Sequence, residues 1–303
     1  MSGIISSIIL NSNNVIPNTN NTQYSYKFPS PINLRDKVIA LNSIQIYYSW
    51  FNINGTLYNN NIFSYTWFNA SGVLEVKRIT IKDGNYSVDS LNAYIKLEMK
   101  KLGHYVIKNS DNSELYFIRL IENATYYSIQ IDIDAMFNSG QASQLINNKT
   151  QYSIGGGGWA FPPIRLYPQV LFNSTSSLSD FLGFDLVSNS PTYYPPSSTV
   201  GSNTSYTVLS TKTPITYPVS SIIIRSNLIS NALSTPVNDI LYSFSQGSYS
   251  YGDLITESPN NLLYQPIGSG SYTQITLSFF DQNLQPMHIK DNQVLISLLI
   301  KDS

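Results

Sequence analysis

Apolar residues along this chain recur with a period of two far more often than with a helical period. From Lys37 to Tyr48 the segment VIALNSIQIYYS places Val38, Ala40, Ile44, Ile46 and Tyr48 on one face, interrupted at Asn42, which predicts a long half-buried strand. Ile62 to Phe68 and Val73 to Ile81 read as strands across a turn at Asn69 to Gly72. In the second of these the apolar parity shifts between Val76 and Ile79, which predicts a bulge near Lys77 and Arg78. A meander follows at His104 to Ile107, Glu114 to Ile121 and Thr125 to Ile133. The last of its strands turns Tyr127, Ile129, Ile131 and Ile133 inward and Ser128, Gln130, Asp132 and Asp134 outward. Further strands are predicted at Ser220 to Arg225, Asp239 to Phe244, Asn261 to Ile267, Gln274 to Phe280 and Gln293 to Ile300. The final pair is apolar on both faces, as in the middle of stacked sheets.

One helix stands out against this background. In ITIKDGNYSVDSLNAYIKLEMKKLG, Asp83-Gly84 turns the chain, Ser87 can cap, Asp89 suits the positive end of the helix dipole and Gly103 supplies the stop. Val88, Leu91, Ile95, Met99 and Leu102 recur at spacings of three and four, whereas Asn92, Lys96 and Lys100 lie away from them, so one side of the helix covers a sheet.

Residues 1–36 read as an arm with short strands at Ile4 to Leu10 and near Tyr24 to Phe28. Residues 37–303 read as one domain. A loop-rich insertion at about 140–218 holds more than half of the 15 prolines and the run Gly155 to Gly158. Within it SDFLGFDL, Ser179 to Leu186, predicts a short helical turn stopped at Gly183. With many antiparallel strands, one helix and no alternation of strand and helix, the expected fold is all-β, a single jelly-roll sandwich with one covering helix.

Composition narrows the chemistry. Charged residues make up 12% of the chain and the formal net charge is −1, so polarity rests on Asn, Ser, Thr and 23 tyrosines. The 17 scattered basic residues offer no footprint for nucleic acid, which needs clustered Lys and Arg. No apolar run approaches a membrane span, and Met1 to Leu10 lacks the basic leader of a secretory signal. Without cysteine there is no disulfide, thiol nucleophile or zinc knuckle, and a reducing cytoplasm is compatible.

No catalytic, cofactor or metal site is expected. His104 and His288 lie at or beside strand starts, outside any ligand or nucleophile motif. Asp132 and Asp134 share a strand face at a spacing of about 7 Å, which admits a metal or a glycosidase-like pair, but polar positions on an alternating strand are normally its wet face. Gly155 to Gly158 lacks the Lys-Ser/Thr and strand-to-helix frame of a phosphate loop and fits a turn or a close backbone approach. The tyrosines, with Trp50, Trp67 and Trp159, could stack on sugars or bases, and Tyr equally serves protein interfaces.

Three segments carry a family resemblance: ITIKDGNYSVDSLNAYIKLEMKK, then SDFLGFD after a loop-rich middle, then SFFDQNLQPMHIKDNQVLISLLIKD at the C-terminus. From about Lys37 onward the chain resembles the minor capsid, or penton, proteins of virophages and Polinton-like viruses, in particular the mavirus-like ones. The resemblance implies a jelly roll with strands roughly perpendicular to a shell, a homopentamer at the icosahedral fivefold vertices and contact with a double-jelly-roll major capsid protein. It also implies a virion location after synthesis in the host cell cytoplasm. Two other readings stay open: a receptor- or glycan-binding module of fibre or lectin type, and a glycan-degrading enzyme using Asp132 and Asp134.

Overall fold

The computed structural model describes residues 6–146, 148–173, 178–186, 190–231 and 238–303. The chain divides into two compact units, one made of 1–51 and 217–303 and the other of 52–216.

Eight principal strands build the first unit: β1 (Ser6–Asn11), β2 (Gln23–Asn33), β3 (Lys37–Tyr47), β4 (Ile222–Ser226), β5 (Ile240–Phe244), β6 (Leu254–Glu257), β7 (Ser271–Phe280) and β8 (Val294–Asp302). They pair antiparallel as first with last: β1 with β8, β2 with β7, β3 with β6, β4 with β5. Two further ladders, β8 with β3 and β4 with β7, close the sheets in the orders β1-β8-β3-β6 and β5-β4-β7-β2. A four-pair hairpin wrapped into two facing sheets is the jelly roll. Its core comes from the alternate inward residues of both sheets, among them Leu10, Tyr24, Ile44, Ile46, Ile275, Leu277, Phe279, Ile296 and Leu298.

Several strand expectations change here. The arm is no arm: β1 and β2 are sandwich strands, Leu10 and Tyr24 are fully buried, and Tyr24 meets Phe279 edge to face with centroids 5.8 Å apart. Ile4 and Ile5 of the predicted first strand lie outside the described residues. In β3 the register against β8 slips between Ser297 and Leu298, where Ser43 and Leu41 are the successive partners. Asn42 is the extra residue, so Ile39 and Leu41 point inward on one side of it and Ile44 and Ile46 on the other. The bulge expected at Lys77 and Arg78 does not exist: Ile62–Phe68 pairs with Leu74–Thr80 in unbroken register, and Val76 simply faces outward. β7 and β8 are central in their sheets as expected, and the outer side of β8 is mixed, with Leu295, 45% exposed, and Leu299 alternating with Ser297 and Lys301. The strand expected at Asn261 to Ile267 shrinks to Gln265–Pro266, and β6 (Leu254–Glu257), too short to show a period, is new.

Residues 52–216 lie in sequence between β3 and β4 and have a core of their own, so the insertion starts far earlier than about 140. One sheet orders Thr192–Tyr194, Val170–Phe172, Ile62–Phe68 and Leu74–Thr80; another orders Ser205–Leu209, Ser128–Asp134 and Ile118–Asn123. Helix α1 (Val88–Lys101) is capped by the Ser87 side chain, which accepts from the Ser90 N–H, and Gly103 follows it at φ 72°. Its buried face of Val88, Leu91, Ile95 and Met99 joins Leu120, Ile129 and Ile131, so the helix covers a sheet of the insertion and not the jelly roll. Leu102, predicted inward, is the C-cap and 47% exposed. Asn92, predicted to lie away, accepts from the Leu120 N–H at 3.1 Å. The turn at Ser179–Leu182 stops at Gly183 with φ 78°, as its sequence predicts.

The ends of this unit are tied by one side chain. Asn52, 2% exposed, donates through Nδ2 to the carbonyls of Tyr86 and Thr216 and accepts the Tyr86 N–H through Oδ1, each at 2.8 Å. A single amide thus joins the first and last residues of the unit to the turn before α1.

Candidate functional site

The titratable groups do not converge on a site. Asp134 pairs with Arg119 at 2.6 Å, and one oxygen of Asp132 accepts from Gln130 at 2.7 Å and Thr207 at 2.9 Å. Both carboxylates are only half-buried, and each has a local structural partner. Among the described residues no group of three or more His, Asp or Glu is placed to hold a metal. His288 lies near Phe51, ring to ring at 6.5 Å.

His104 is a core residue. Its Nδ1 shares a 2.6 Å hydrogen bond with the Tyr65 hydroxyl, and its ring stacks on Trp67 at 5.3 Å. Burial, helped by the nearby Lys77 ammonium, pushes the imidazole down to about 4, while burial pushes the Tyr65 phenol up. Both partners are neutral at pH 7, which suits an aromatic core.

The glycine run serves close packing. A Cβ on Gly156 would stand 2.6 Å from the Gly103 Cα, and one on Gly155 would stand 2.5 Å from the Tyr105 ring. Trp159, next in the chain, donates to the Gly103 carbonyl at 2.8 Å and locks the two segments together. All three tryptophans are buried, at 3%, 0% and 4% exposure for Trp50, Trp67 and Trp159, so none offers a stacking face. Tyr127, predicted inward, instead sits in the turn before its strand at 73% exposure.

The surface of the jelly roll that differs from an ordinary wet face is the outside of the β1-β8-β3-β6 sheet. Two rows cross it: Ile9 beside Ser297 beside Ser43, and Asn11 beside Leu295 beside Gln45 beside Thr256. Neither row carries a charge, and Ile9 and Leu295 are 57% and 45% exposed. Amides, hydroxyls and isolated aliphatics shed water at far lower cost than Lys or Glu, the composition of a face able to be covered. Sequence reading missed these rows because the bulge at Asn42 decides which residues of β3 align with Ile9 and Leu295.

No family model matches the chain, and no curated protein does. Solved structures match over nearly its full length, among them the following. The selenomethionine-labelled penton protein of mavirus is 13% identical, with a TM-score of 0.44 and 99% of each chain covered. A chain from the 3.5 Å cryo-EM structure of the Sputnik virophage is 11% identical, with a TM-score of 0.38, covering 99% of this chain and 97% of that one.

Proposed function

We propose that this chain is a structural virion protein, the penton subunit of a virophage-like capsid, working by assembly and not by catalysis. The observation that carries the reading is the pair of uncharged rows across the outer face of a jelly-roll sheet, in a chain whose sequence resembles penton proteins from about Lys37 onward. Five copies associate around a rotational axis through their sandwich flanks, and the corner so formed contacts a double-jelly-roll major capsid protein. Aliphatic contact by Ile9 and Leu295 supplies affinity, and the surrounding Ser, Thr, Asn and Gln side chains supply hydrogen bonds at modest desolvation cost. The scattered carboxylates and the neutral, buried His104 agree with a non-enzymatic role.

Sedimentation velocity and negative-stain microscopy of the purified chain, alone and mixed with the major capsid protein, test the proposal. The expected result is a five-membered ring in at least one condition, lost on replacing both Ile9 and Leu295 with Lys. Monomers in every condition, or a ring indifferent to those two substitutions, would refute the reading.

A further inference from the structure

The two jelly-roll sheets end in four edge strands, and three of these carry features that keep other strands from pairing with them. β2 holds Lys27, Pro29 and Pro31 and loses its register against β7 between Lys27 and Ile32. β5 is five residues long and bulged against β4, and β6 is four residues long and ends on Glu257. β1, with the sequence SSIILN, has no charge, no proline and an unbroken register with β8 from Ser6 to Asn11. It is also open: only Leu10 is buried, and Ile9 is 57% exposed. The direction of its backbone groups follows from the ladders beside it. Just beyond β3 the Tyr48 N–H donates to the Asp253 carbonyl at 2.9 Å, so Ile46 and Ile44 bond toward β6, and Gln45 and Ser43 toward Leu295 and Ser297 of β8. Ile296 and Leu298 then bond toward Leu10 and Ile8, which leaves Ser7, Ile9 and Asn11 with N–H and C=O directed away from the sheet. Accordingly, the Asn11 N–H donates to the Asn14 side chain at 2.9 Å. The same groups of Ser7 and Ile9 have no partner among the described residues.

We propose that two copies of the free chain pair through β1, antiparallel about a twofold axis, with Ile9 opposite Ile9 of the partner subunit. The strand answers itself in that register. Ser7 stands opposite Asn11 and Ile8 opposite Leu10, so polar meets polar and apolar meets apolar on both faces. A slip of two residues either way would set Ile9 against Ser7 or Asn11. Each Ser7 and Ile9 N–H gains a carbonyl acceptor, about four new backbone hydrogen bonds in all, while the Asn11 N–H keeps its Asn14 partner. This self-complementarity selects a second copy as the occupant over an extended peptide of other sequence. Pairing β1 with β1 also uses up both open edges, so association stops at two copies. The inference does not rest on the ring proposed above. Ile9 serves both contacts, so the dimer is a form of the free chain and gives way where Ile9 is buried in a shell.

Sedimentation velocity on the full chain alone, from about 1 to about 500 μM, is expected to show a monomer that gives way to a dimer as the concentration rises. Ser7→Pro removes an outward N–H and no ladder bond, so it should weaken pairing at least about tenfold while the melting temperature stays within about 2 °C. The register is tested by charge. Ile9→Lys and Ile9→Glu should each stay monomeric where the unaltered chain pairs, and an equimolar mixture of the two should restore the dimer, since Ile9 faces its own counterpart only at the twofold centre. That exchange decides the matter if Ser7→Pro melts early. Monomers over the whole range, pairing undiminished in a stably folded Ser7→Pro variant, or a mixture as monomeric as its components would overturn the proposal. Rings without any dimer would overturn it and leave the penton reading standing, whereas a dimer with no ring in any mixture would do the reverse.

Discussion

Replacing Asn52 with Leu keeps the volume of the side chain and removes all three hydrogen bonds by which it ties the two ends of the insertion to the turn before α1. Each bond is 2.8 Å long, and Asn52 is 2% exposed. At about 1 kcal/mol net for each bond, the loss comes to about 3 kcal/mol, more if the Tyr86 N–H and the Thr216 carbonyl find no water. The insertion has its own core and its own tryptophans, Trp67 and Trp159, so its unfolding is visible apart from the sandwich, whose only tryptophan is Trp50. In a Trp50→Phe background, urea titration followed by fluorescence reports the insertion alone. The Asn52→Leu midpoint should fall by the equivalent of about 3 kcal/mol with little change in slope. A loss below about 1 kcal/mol would show that the amide is replaceable by solvent and that the clasp does not hold the unit closed.

His104 makes stability pH-dependent in a defined window. Its folded value, about 4, lies below the usual 6.5, so between those values the unfolded chain binds the proton and the folded one does not. Stability is full above pH 6.5 and declines as the pH falls toward 4. His104→Asn, which keeps an acceptor for Tyr65, should flatten that decline in urea titrations at pH 7, 5.5 and 4.5, and an unchanged slope would refute the assignment. Gly156→Ala drives a Cβ to 2.6 Å from the Gly103 Cα and should cost about 1–3 kcal/mol by thermal melting. Gly157→Ala, with nothing within 4 Å, should stay within about 0.5 kcal/mol, and equal effects would remove the close-packing account.

Much of the jelly roll is legible in the chain because a strand with one dry face writes itself as alternation: β3, β7 and β8 follow from it, and the central places of β7 and β8 from their apolar character. α1 is legible for the same local reason, through its cap, its apolar spacing and its stop. The roles of His104 and the glycine run as structural elements also follow from residue type and the absence of any motif. The polar turn at Tyr126 and Tyr127 is not legible. Nothing in the letters NATYYS says that one tyrosine adopts a left-handed backbone.

What the sequence determined by itself is therefore the local material: strands with a buried side, one amphipathic helix, a charge-poor surface and no thiol chemistry. Tertiary structure alone decided that Ser6–Asn11 is a strand of the sandwich, since its partner is Ile300 down to Leu295, at the other end of the chain. It also decided that the insertion runs from 52 to 216 with its own core, and that Asn42 and not Lys77 carries the bulge. The physical reason is that a β ladder satisfies its hydrogen bonds with residues remote in sequence, so register, bulges and the choice of exposed rows depend on a partner that no local window contains.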